Sequence, residues 1–490
     1  MDDLKNRIKC KKLCKKVVEP DEAISIIQRG MTIGISSGLF PIWDAMESRG
    51  KGKDNLGITL WSSVASVRAD QTWPNSGIQR RIGQQIFLKK AINNKQVEYL
   101  DAPLGFFYQS IRAGEFGPLD LAIIEAVGIT EEGNLIPSYR VSDMPNFAQA
   151  AKHLIIQLNT CYPLEFEGMH DIYLPQNPPN RKLIPISRVD DRIGTPYIPL
   201  NPEKIKYIVL SEVPETIDLD ETVDETSIKI SQNLLTFLRQ EISIGRLPKN
   251  LLPIETGLGS IPSAVLCGLG NSEFEGLEFY SAILDDRILD LVDQGKVRTA
   301  SCSQMLLSPR GEQKLIERLN FYKGYIILRP IEITDCPEII MRLGILALNG
   351  AIEVDIYGHV NSSHILAGDV ISGIGGVTEF AMNAYLSVIL IPSIAKKGKI
   401  SCVVPMVSHV DIPEHGVDAI VTEQGVADLR GLVPKERAER IIDCCAHPTY
   451  KPLLRDYFQG AKRKGGGHEP HLLEDALSFH QRFLKTGSMK

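Results

Sequence analysis

Four segments between Leu348 and Gly431 decide the fold of this chain: LNGAIEVDIYGHVNS (348–362), SGIGGVTEFAMNAYLSVILIPSIAKKGKIS (372–401), VVPMVSHVD (403–411) and DAIVTEQGVADLRG (418–431). In these segments, turns rich in glycine or charge separate short apolar runs. The pattern predicts a glycine turn at 373–376, a helix start over 380–385 and a buried strand over 386–391. Backbone N–H groups in such a turn approach a ligand closely, and a turn that leads into a helix suits an anionic group.

A weak internal repeat relates this stretch to an earlier one. Residues 123–159 and 351–391 share the same order: an apolar strand, a glycine turn, a second strand, a helix of small residues and another apolar strand. Two such copies predict two tandem open α/β domains. The polar segment 210–224 is typical of a linker, so we expect an N-terminal domain over 1–215 and a C-terminal domain over 216–490.

A second glycine turn opens the predicted C-terminal domain. Residues 253–265 read PIETGLGSIPSAV, with a tight turn at Gly257 and Gly259 followed by a helix start at Ser260. Further along, 279–284 is typical of a strand end and 285–293 of an amphipathic helix. The step from a strand end into a helix is where α/β enzymes place reactive groups.

Bulk composition restricts the class of protein. A chain of 490 residues is too long for one ordinary core, so two or more domains are expected. With 43% hydrophobic residues, 23% charged residues and a formal charge of −6, nothing indicates a nucleic-acid or membrane-surface partner. No secretory apolar segment follows Met1, and no apolar run is long enough to span a bilayer, which predicts a cytoplasmic protein.

The cysteines and histidines give no sign of a metal centre. The nine cysteines are scattered without a CxxC pair, which favours free thiols in a reducing compartment. His468 and His471 flank Glu469 in a glycine-rich segment, but no further ligand pattern accompanies them. We therefore expect no metal site.

Eight motifs occur in order along nearly the whole chain and together resemble one family. They are EGMHDIY (167–173), RVDDRIGTPYIPLNPEKI (188–205), LLPIETGLGS (251–260), NGAIEVDIYGHVNS (349–362), GIGG (373–376), KISCVVPMVSHVD (399–411), VTEQGVADLRGL (421–432) and AHPTYKPLLRDYF (446–458). The family is the acetyl-CoA hydrolase/transferase family, a branch of the class I CoA-transferases. The resemblance implies two CoA-transferase-type α/β domains, a homodimer, acyl-CoA and short carboxylates as substrates, and no permanently bound cofactor.

The family resemblance also implies a covalent mechanism. A glutamate attacks the acyl-CoA thioester to give a mixed anhydride, and the released CoA thiolate then forms a glutamyl-CoA thioester. That glutamate lies in a motif resembling Y-[ST]-E-[VIL]-x-x-D, which here reads YSAILDD (280–286), with Ala282 at the nucleophile position. A methyl group cannot attack a thioester. Ala282 is either a substitution of the glutamate, which we favour, or a plain core alanine of an inactive paralogue.

The remaining site residues are carried over from the resemblance position by position. By this resemblance, we expect the 257–259 turn to stabilise the oxyanion on the glutamyl carbonyl and the 375–376 turn to bind the acyl-CoA carbonyl and pantetheine. We expect Glu423 to lie near the reacting centre. The residues expected to contact CoA are Ile254, Glu255, Thr256, Gly257, Leu258, Gly259, Gly375, Gly376, Phe380 and Lys396.

Two positions depart from the family pattern. Asp335 stands where family members commonly carry Asn, so the amide that would meet the external oxyanion is replaced by a carboxylate. The turn 36–41 (SSGLFP) is shorter than the glycine-rich turn that the resemblance implies. Both departures bear on substrate preference.

Three functions remain open on the sequence alone. The first is CoA transfer between small carboxylates, acetate and succinate foremost. The second is acyl-CoA hydrolysis, and the third is binding of CoA or acyl-CoA without catalysis, which Ala282 favours. A Rossmann-type dehydrogenase is excluded because no G-x-G-x-x-G follows the first strand with an acidic residue further on.

Overall fold

The computed structural model describes residues 2–36, 39–50, 56–62, 67–84, 88–214, 222–366, 368–464 and 466–490. Its strands are β1 Thr32–Ile35, β2 Ile58–Trp61, β3 Ile78–Ile82, β4 Glu98–Leu100, β5 Leu121–Ala126, β6 Gly128–Ile129, β7 Leu135–Ile136, β8 His153–Asn159, β9 Ile205–Ser211, β10 Ile254–Thr256, β11 Leu277–Leu284, β12 Val297–Met305, β13 Ile326–Leu328, β14 Leu346–Gly350, β15 Glu353–Asp355, β16 Val360–Asn361, β17 His364–Ile365, β18 Asp369–Val370, β19 Leu386–Leu390, β20 Ile394–Ala395, β21 Ile400–Ser401, β22 Val403–Val404, β23 Ala419–Thr422 and β24 Gly425–Asp428.

The α-helices are α1 Asp2–Arg7, α2 Pro20–Ala23, α3 Phe40–Gly50, α4 Val67–Ser76, α5 Lys89–Asn93, α6 Leu104–Ala113, α7 Met144–Ala150, α8 Glu225–Ser243, α9 Ser260–Gly270, α10 Asp286–Asp293, α11 Pro309–Glu317, α12 Leu319–Tyr322, α13 Ile331–Thr334, α14 Pro337–Leu343, α15 Val377–Asn383, α16 Pro434–Cys445, α17 Lys451–Lys464 and α18 Ser478–Thr486. Short 3₁₀ helices cover Lys11–Lys16, Ile24–Ile26, Leu164–Phe166, Pro202–Lys204, Lys396–Gly398 and Glu414–Gly416.

The chain divides into two compact units. Unit 1 comprises Met1–Asp218, Phe279–Val292 and Thr299–Leu343, and unit 2 comprises Leu219–Glu278, Asp293–Arg298 and Gly344–Lys490. Strands β11 and β12 therefore begin in unit 2 and end in unit 1. Part of the expected linker, 215–221, lies outside the described residues, and the division into domains at 215 stays a prediction.

Unit 1 is built on a parallel sheet with the strand order β4–β3–β2–β1–β5–β8–β9. A parallel sheet is covered on both faces, so its central strands are buried and largely apolar. Strand β5 reads LAIIEA and is buried along its whole length, and β8 is buried from Leu154 onwards. The core around it includes Ile33, Trp43, Ile123 and Ile155.

In unit 2 the strands β10, β14, β19 and β23 lie side by side in parallel, and β24 pairs with β23 in the antiparallel sense. Strand β19 (LSVIL) is buried throughout, which confirms the predicted strand. Helix α8 begins at Glu225, because the carboxylate of its N-cap Asp224 accepts a hydrogen bond of 2.7 Å from the backbone N–H of Ser227.

The internal repeat is present in both units. In unit 1, β5 and the parallel β8 enclose the antiparallel hairpin β6–β7 and helix α7. In unit 2, β14 and the parallel β19 enclose the antiparallel hairpin β15–β16 and helix α15. The unit 2 copy carries an additional hairpin, β17–β18, directly before the glycine turn. The predicted fold class, two open α/β halves related by a weak repeat, is confirmed.

Two predicted helices have different bounds. The expected helix start over 380–385 is wrong, because α15 begins at Val377, directly after its N-cap Gly376, and ends at Asn383. The sequence also predicts a last helix over 472–485, but in the structure this helix begins only at Ser478. Its first residues are held in turns instead, since the backbone N–H of Leu472 donates to the Tyr457 hydroxyl at 3.3 Å.

Candidate functional site

The carboxyl ends of four parallel strands form one edge of the unit 2 sheet. Register pairs Thr256 of β10 with Leu348 of β14, and Leu390 of β19 with Val421 of β23. The loops that follow these strands therefore lie next to one another, at the edge where open α/β sheets bind ligands. We call this set of loops the strand-end edge of unit 2.

The first loop of the strand-end edge is the turn at 257–259. Gly259 has φ +116°, a conformation that residues with a side chain rarely adopt. A Cβ atom placed on Gly257 or Gly259 would meet no atom within 4 Å, so the space beside the turn is open. Gly259 is also the N-cap of the eleven-residue α9 and supplies no side-chain cap. The turn thus leaves backbone N–H groups available for an anion or oxyanion.

The residues before this turn support it from inside. Ile254, Glu255 and Thr256 are all buried in β10, with the Glu255 residue only 5% exposed. Leu258, in the turn itself, is half-buried. Contact of these four residues with CoA stays a prediction.

Glu423 joins two loops of the strand-end edge. It lies in the tight connection between β23 and β24, and its carboxylate accepts hydrogen bonds from the backbone N–H of Ser393 at 2.8 Å, from the Ser393 hydroxyl and from Gln424 Nε2 at 2.9 Å. Burial raises the pKa of Glu423, but the hydrogen bonds from Ser393 and Gln424 outweigh it and hold the pKa below its ordinary value. Glu423 is therefore ionised at neutral pH and suited to fixing a geometry.

The second glycine turn precedes α15. Gly375 has φ +60°, and Gly376 caps the helix. Phe380 lies inside α15 and is 1% exposed, so its ring packs within unit 2 and does not face solvent. A direct contact between Phe380 and CoA stays a prediction.

Lys396 lies in an exposed loop with unusual backbone geometry. Both Lys396 (φ +48°) and Lys397 (φ +55°) adopt the left-handed conformation, which is costly for residues with a Cβ atom. The ammonium group of Lys396 lies 5.1 Å from the centre of the Phe483 ring. The loop thus holds two exposed cationic side chains on a defined backbone, and contact of Lys396 with CoA stays a prediction.

Ala282 lies near the end of β11, in unit 1. Its neighbours Tyr280 and Ser281 are buried, whereas Ala282 is half-buried and is not part of the hydrophobic core. Its carbonyl accepts a hydrogen bond of 2.7 Å from the Ser303 hydroxyl of β12, which fixes the strand at this point.

Asp335 follows α13 in unit 1 and is fully buried. Its carboxylate accepts a 2.7 Å hydrogen bond from the Thr334 hydroxyl. The preceding turn is fixed by the Tyr280 hydroxyl, which donates to the carbonyl of Ile333 at 2.7 Å, and burial raises the pKa of Tyr280. A carboxyl group has no N–H, so Asp335 does not supply the amide N–H donor that the resemblance implies here.

Asn349 is a polar residue that the sequence reasoning missed. It follows Leu348, the residue of β14 that pairs with Thr256 at the end of β10, and it is 2% exposed. Among the described residues its Nδ2 has no hydrogen-bond partner, which costs about 1–3 kcal/mol for a buried donor. A polar residue at the end of the apolar strand LALNG was the signal in the sequence.

Sequence-based expectations also concern the 36–41 turn, the His468–His471 segment, metal sites and membrane-spanning helices. The turn 36–41 includes Ser37 and Gly38, which lie outside the described residues. His471 Nδ1 lies 2.8 Å from the Tyr457 hydroxyl. Over the described part of the chain, no group of three or more His, Cys, Asp or Glu side chains is arranged to hold a metal ion. Within the same ranges, no helix has the length and apolar character needed to cross a membrane.

Comparison with known proteins gives concordant matches over both halves of the chain. Residues 1–210 match the acetyl-CoA hydrolase/transferase N-terminal domain, and residues 311–458 match the C-terminal domain of the same family. The chain is 44% identical to a succinyl-CoA:acetate CoA-transferase of Clostridium kluyveri over 99% of this chain and 92% of that protein. It is 43% identical to an acetyl-CoA hydrolase of Schizosaccharomyces pombe over 84% of this chain and 82% of that protein.

Among solved structures, RipA from Yersinia pestis has a similar fold. The TM-score is 0.71, with 20% sequence identity over 92% of this chain and 98% of RipA. At this identity the likeness concerns the fold alone. The sequence matches carry the assignment: the chain belongs to the acetyl-CoA hydrolase/transferase family, whose members act on CoA thioesters.

Proposed function

We propose that this chain binds CoA and acyl-CoA at the strand-end edge of unit 2 and has the design of an acyl-CoA:carboxylate CoA-transferase, with Ala282 in place of the nucleophilic glutamate. The observation that carries the proposal is the open turn at 257–259. Its glycine geometry, uncapped helix start and free adjacent space are what a thioester carbonyl or phosphate oxygen needs. Glu423 and the exposed Lys396 on the same unit support it.

The reaction of a form with glutamate at 282 balances without any added reagent. The glutamate carboxylate attacks the thioester carbonyl, and the C–S bond breaks to give a mixed anhydride and the CoA thiolate. The thiolate then attacks the glutamyl carbonyl, which releases the first carboxylic acid as its anion and leaves a glutamyl-CoA thioester. A second carboxylate reverses these steps and leaves as the new acyl-CoA. Small acids such as acetate and succinate are the substrate class that we favour.

The chain with Ala282 has no group to form the covalent intermediate. We infer that it binds acyl-CoA without transferring the acyl group or CoA. The half-buried position of Ala282 supports a substitution at a reacting position over a core alanine, because a core alanine is normally buried on all sides. A homodimeric, cytoplasmic protein remains our expectation.

Hydrolysis is the second candidate function. It is favoured by the relatives named acetyl-CoA hydrolase, among them the S. pombe protein. Water attacking a glutamyl-CoA thioester would give this reaction from the same intermediate, so it also requires glutamate at 282. A binding protein without catalysis is the third candidate, and Ala282 itself favours it.

The experiment that tests the proposal uses intact-mass spectrometry. Ala282→Glu is incubated with acetyl-CoA alone, and we expect an adduct of CoA mass that borohydride reduces and that disappears when acetate or succinate is added. The parent chain, treated in the same way, provides the control without a nucleophile. Loss of the adduct in buffer alone, without a carboxylate, would favour the hydrolase. An absence of adduct and of any heat on CoA titration would refute the proposed function.

A further inference from the structure

A buried carboxylate outside the proposed binding groups lies at the centre of a hydrogen-bond cluster in unit 2. Asp411 ends the VVPMVSHVD segment, and its side chain is 3% exposed. It accepts hydrogen bonds from the Ser362 backbone N–H at 2.6 Å, from the Ser362 hydroxyl at 3.0 Å and from the Ser363 hydroxyl at 2.8 Å. His409 Nε2 lies 3.2 Å from the same carboxylate.

This cluster is connected to both ends of the glycine turn at 373–376. Before the turn, the Ser363 carbonyl accepts hydrogen bonds from the backbone N–H groups of Ile371 at 2.9 Å and Ser372 at 3.4 Å. After the turn, the Thr378 hydroxyl in α15 donates to the Asp411 carbonyl at 3.2 Å. Asp411 is therefore connected to one end of the turn by its carboxylate, through Ser363. It is connected to the other end by its backbone carbonyl, through Thr378.

The repeat shows that this arrangement belongs to unit 2 alone. In unit 1, α7 follows β7 without an intervening hairpin, whereas in unit 2 the hairpin β17–β18 separates β16 from α15. Ser363 immediately precedes this hairpin, and Ser372 follows it. Unit 2 thus has an additional segment directly before the turn, and the start of this segment is hydrogen-bonded to the side chains of Asn361 and Asp411.

We propose that Asp411 is a positioning residue that fixes the 373–376 turn in the conformation that receives CoA. The inference rests on the proposed function, because it concerns the same ligand. Three of the four residues in the turn are glycines, whose backbone is conformationally permissive, and ordering such a backbone on binding costs conformational entropy. Fastening both ends in advance lowers that cost, which is the general effect of preorganisation on affinity.

Each of the two connections offers its own substitution. Asp411→Asn keeps the shape of the side chain and removes its charge. Only one acceptor oxygen then remains for the Ser362 and Ser363 donors, which share two oxygens in the parent. Thr378→Val removes the hydroxyl that donates to the backbone carbonyl of Asp411. Thr378→Ser keeps a hydroxyl at this position. Asp369→Asn removes an exposed carboxylate from the neighbouring β18 and is the control for loss of one negative charge.

The test is calorimetric titration of the full chain with CoA, together with the melting temperature of each variant without ligand. We expect the Kd for CoA to rise roughly tenfold in Asp411→Asn and about threefold in Thr378→Val. Thr378→Ser and Asp369→Asn should keep the Kd of the parent. Recovery in Thr378→Ser distinguishes positioning from a general loss of packing, which a change of side-chain size would not reverse.

The outcomes separate this inference from the proposed function. A parent chain that gives no heat with CoA would overturn both. A parent that binds CoA, with unchanged Kd in both Asp411→Asn and Thr378→Val, would overturn this inference alone. If Asp411→Asn does not fold, the Thr378→Val and Thr378→Ser pair decides the matter, and equal Kd values for the two would count against positioning.

Discussion

The strand-end edge of unit 2 and the Ala282 region of unit 1 differ in what they retain. The edge keeps an open glycine turn at 257–259 and an ionised Glu423 held by three hydrogen-bond donors. The other region has a methyl group at 282 and a buried carboxylate at Asp335, where the resemblance implies an amide. Under the proposed function, the first region has groups suited to holding a CoA ester, whereas the second lacks the nucleophile that would react with it.

The two regions differ because binding and covalent catalysis depend on different atoms. The binding that we propose at the glycine turn would use backbone N–H groups, whose placement depends on many residues and on φ angles that only glycine adopts easily. Covalent catalysis uses one carboxylate, so a single substitution removes it without disturbing the backbone. We therefore expect affinity for CoA and catalytic activity to be separable in this chain.

The largest effect should come from restoring the nucleophile. Ala282→Glu should raise the rate of CoA transfer from acetyl-CoA to succinate by at least about 10⁴-fold over the parent, because removing a covalent nucleophile leaves only binding and oxyanion stabilisation. Ala282→Gln, with a side chain of the same size and no nucleophile, is the matched control. Steady-state exchange assays measure all three proteins, and substantial turnover by the parent or by Ala282→Gln would contradict the comparison.

A smaller gain should come from Asp335. In the Ala282→Glu background, Asp335→Asn should raise kcat by about 10²-fold, since one oxyanion donor is typically worth that much. Asparagine also keeps an acceptor oxygen for the Thr334 hydroxyl, so the turn after α13 should persist. In the parent background the same change should leave activity absent. A lower kcat in the double variant would show that a carboxylate is required at 335.

Much of this fold is predictable from the sequence because buried parallel strands form continuous apolar runs. The runs at 386–391 and around 123 and 155 lie in β19, β5 and β8, and their order along the chain reveals the repeat. The helix bounds near 380 and 472 were not predictable in the same way. In the first case a glycine cap decides the start of α15, and in the second a tyrosine hydroxyl fifteen residues away takes up a backbone N–H.

For the candidate site, sequence gives the residue types but not their contacts. The glycine turns and the half-buried Ala282 lie where the motifs suggest a strand end or a helix start.

The contacts between distant residues were not predictable. The hydrogen bond between Glu423 and Ser393 joins residues 30 positions apart, and lysine side chains do not indicate the left-handed backbone found at Lys396 and Lys397. Phe380 is expected to contact CoA by resemblance, and the structure adds that it is 1% exposed, which the sequence did not indicate; the contact stays a prediction.

Substitution of Gly259 tests whether the strand-end edge of unit 2 binds CoA. Gly259→Ala should weaken CoA binding about tenfold, because alanine at φ +116° is strained and the turn must shift its N–H groups. Gly467→Ala is the matched control, since Gly467 has φ +81° and equally open surroundings but lies outside the site. Calorimetry gives the Kd, and thermal unfolding gives the cost of strain in both variants. Equal Kd values for the two would remove the turn from the binding site.

The smallest effect that we expect concerns Lys396. Lys396→Met should raise the Kd for CoA about threefold at low salt, because an exposed ammonium contributes little once solvent screens it. The difference in Kd between Lys396→Met and the parent should shrink as ionic strength rises, since screening weakens the same interaction in the parent.

Lys397→Met is the matched control. Lys397 lies in the same loop with the same left-handed backbone, whereas Lys396 is the one of the two whose ammonium group lies over the Phe483 ring. Titrations at two salt concentrations compare the three proteins. An effect of Lys396→Met that persists at high salt would indicate that the side chain acts through its packing on Phe483, and equal effects of both substitutions would indicate that CoA senses only the net charge of the loop.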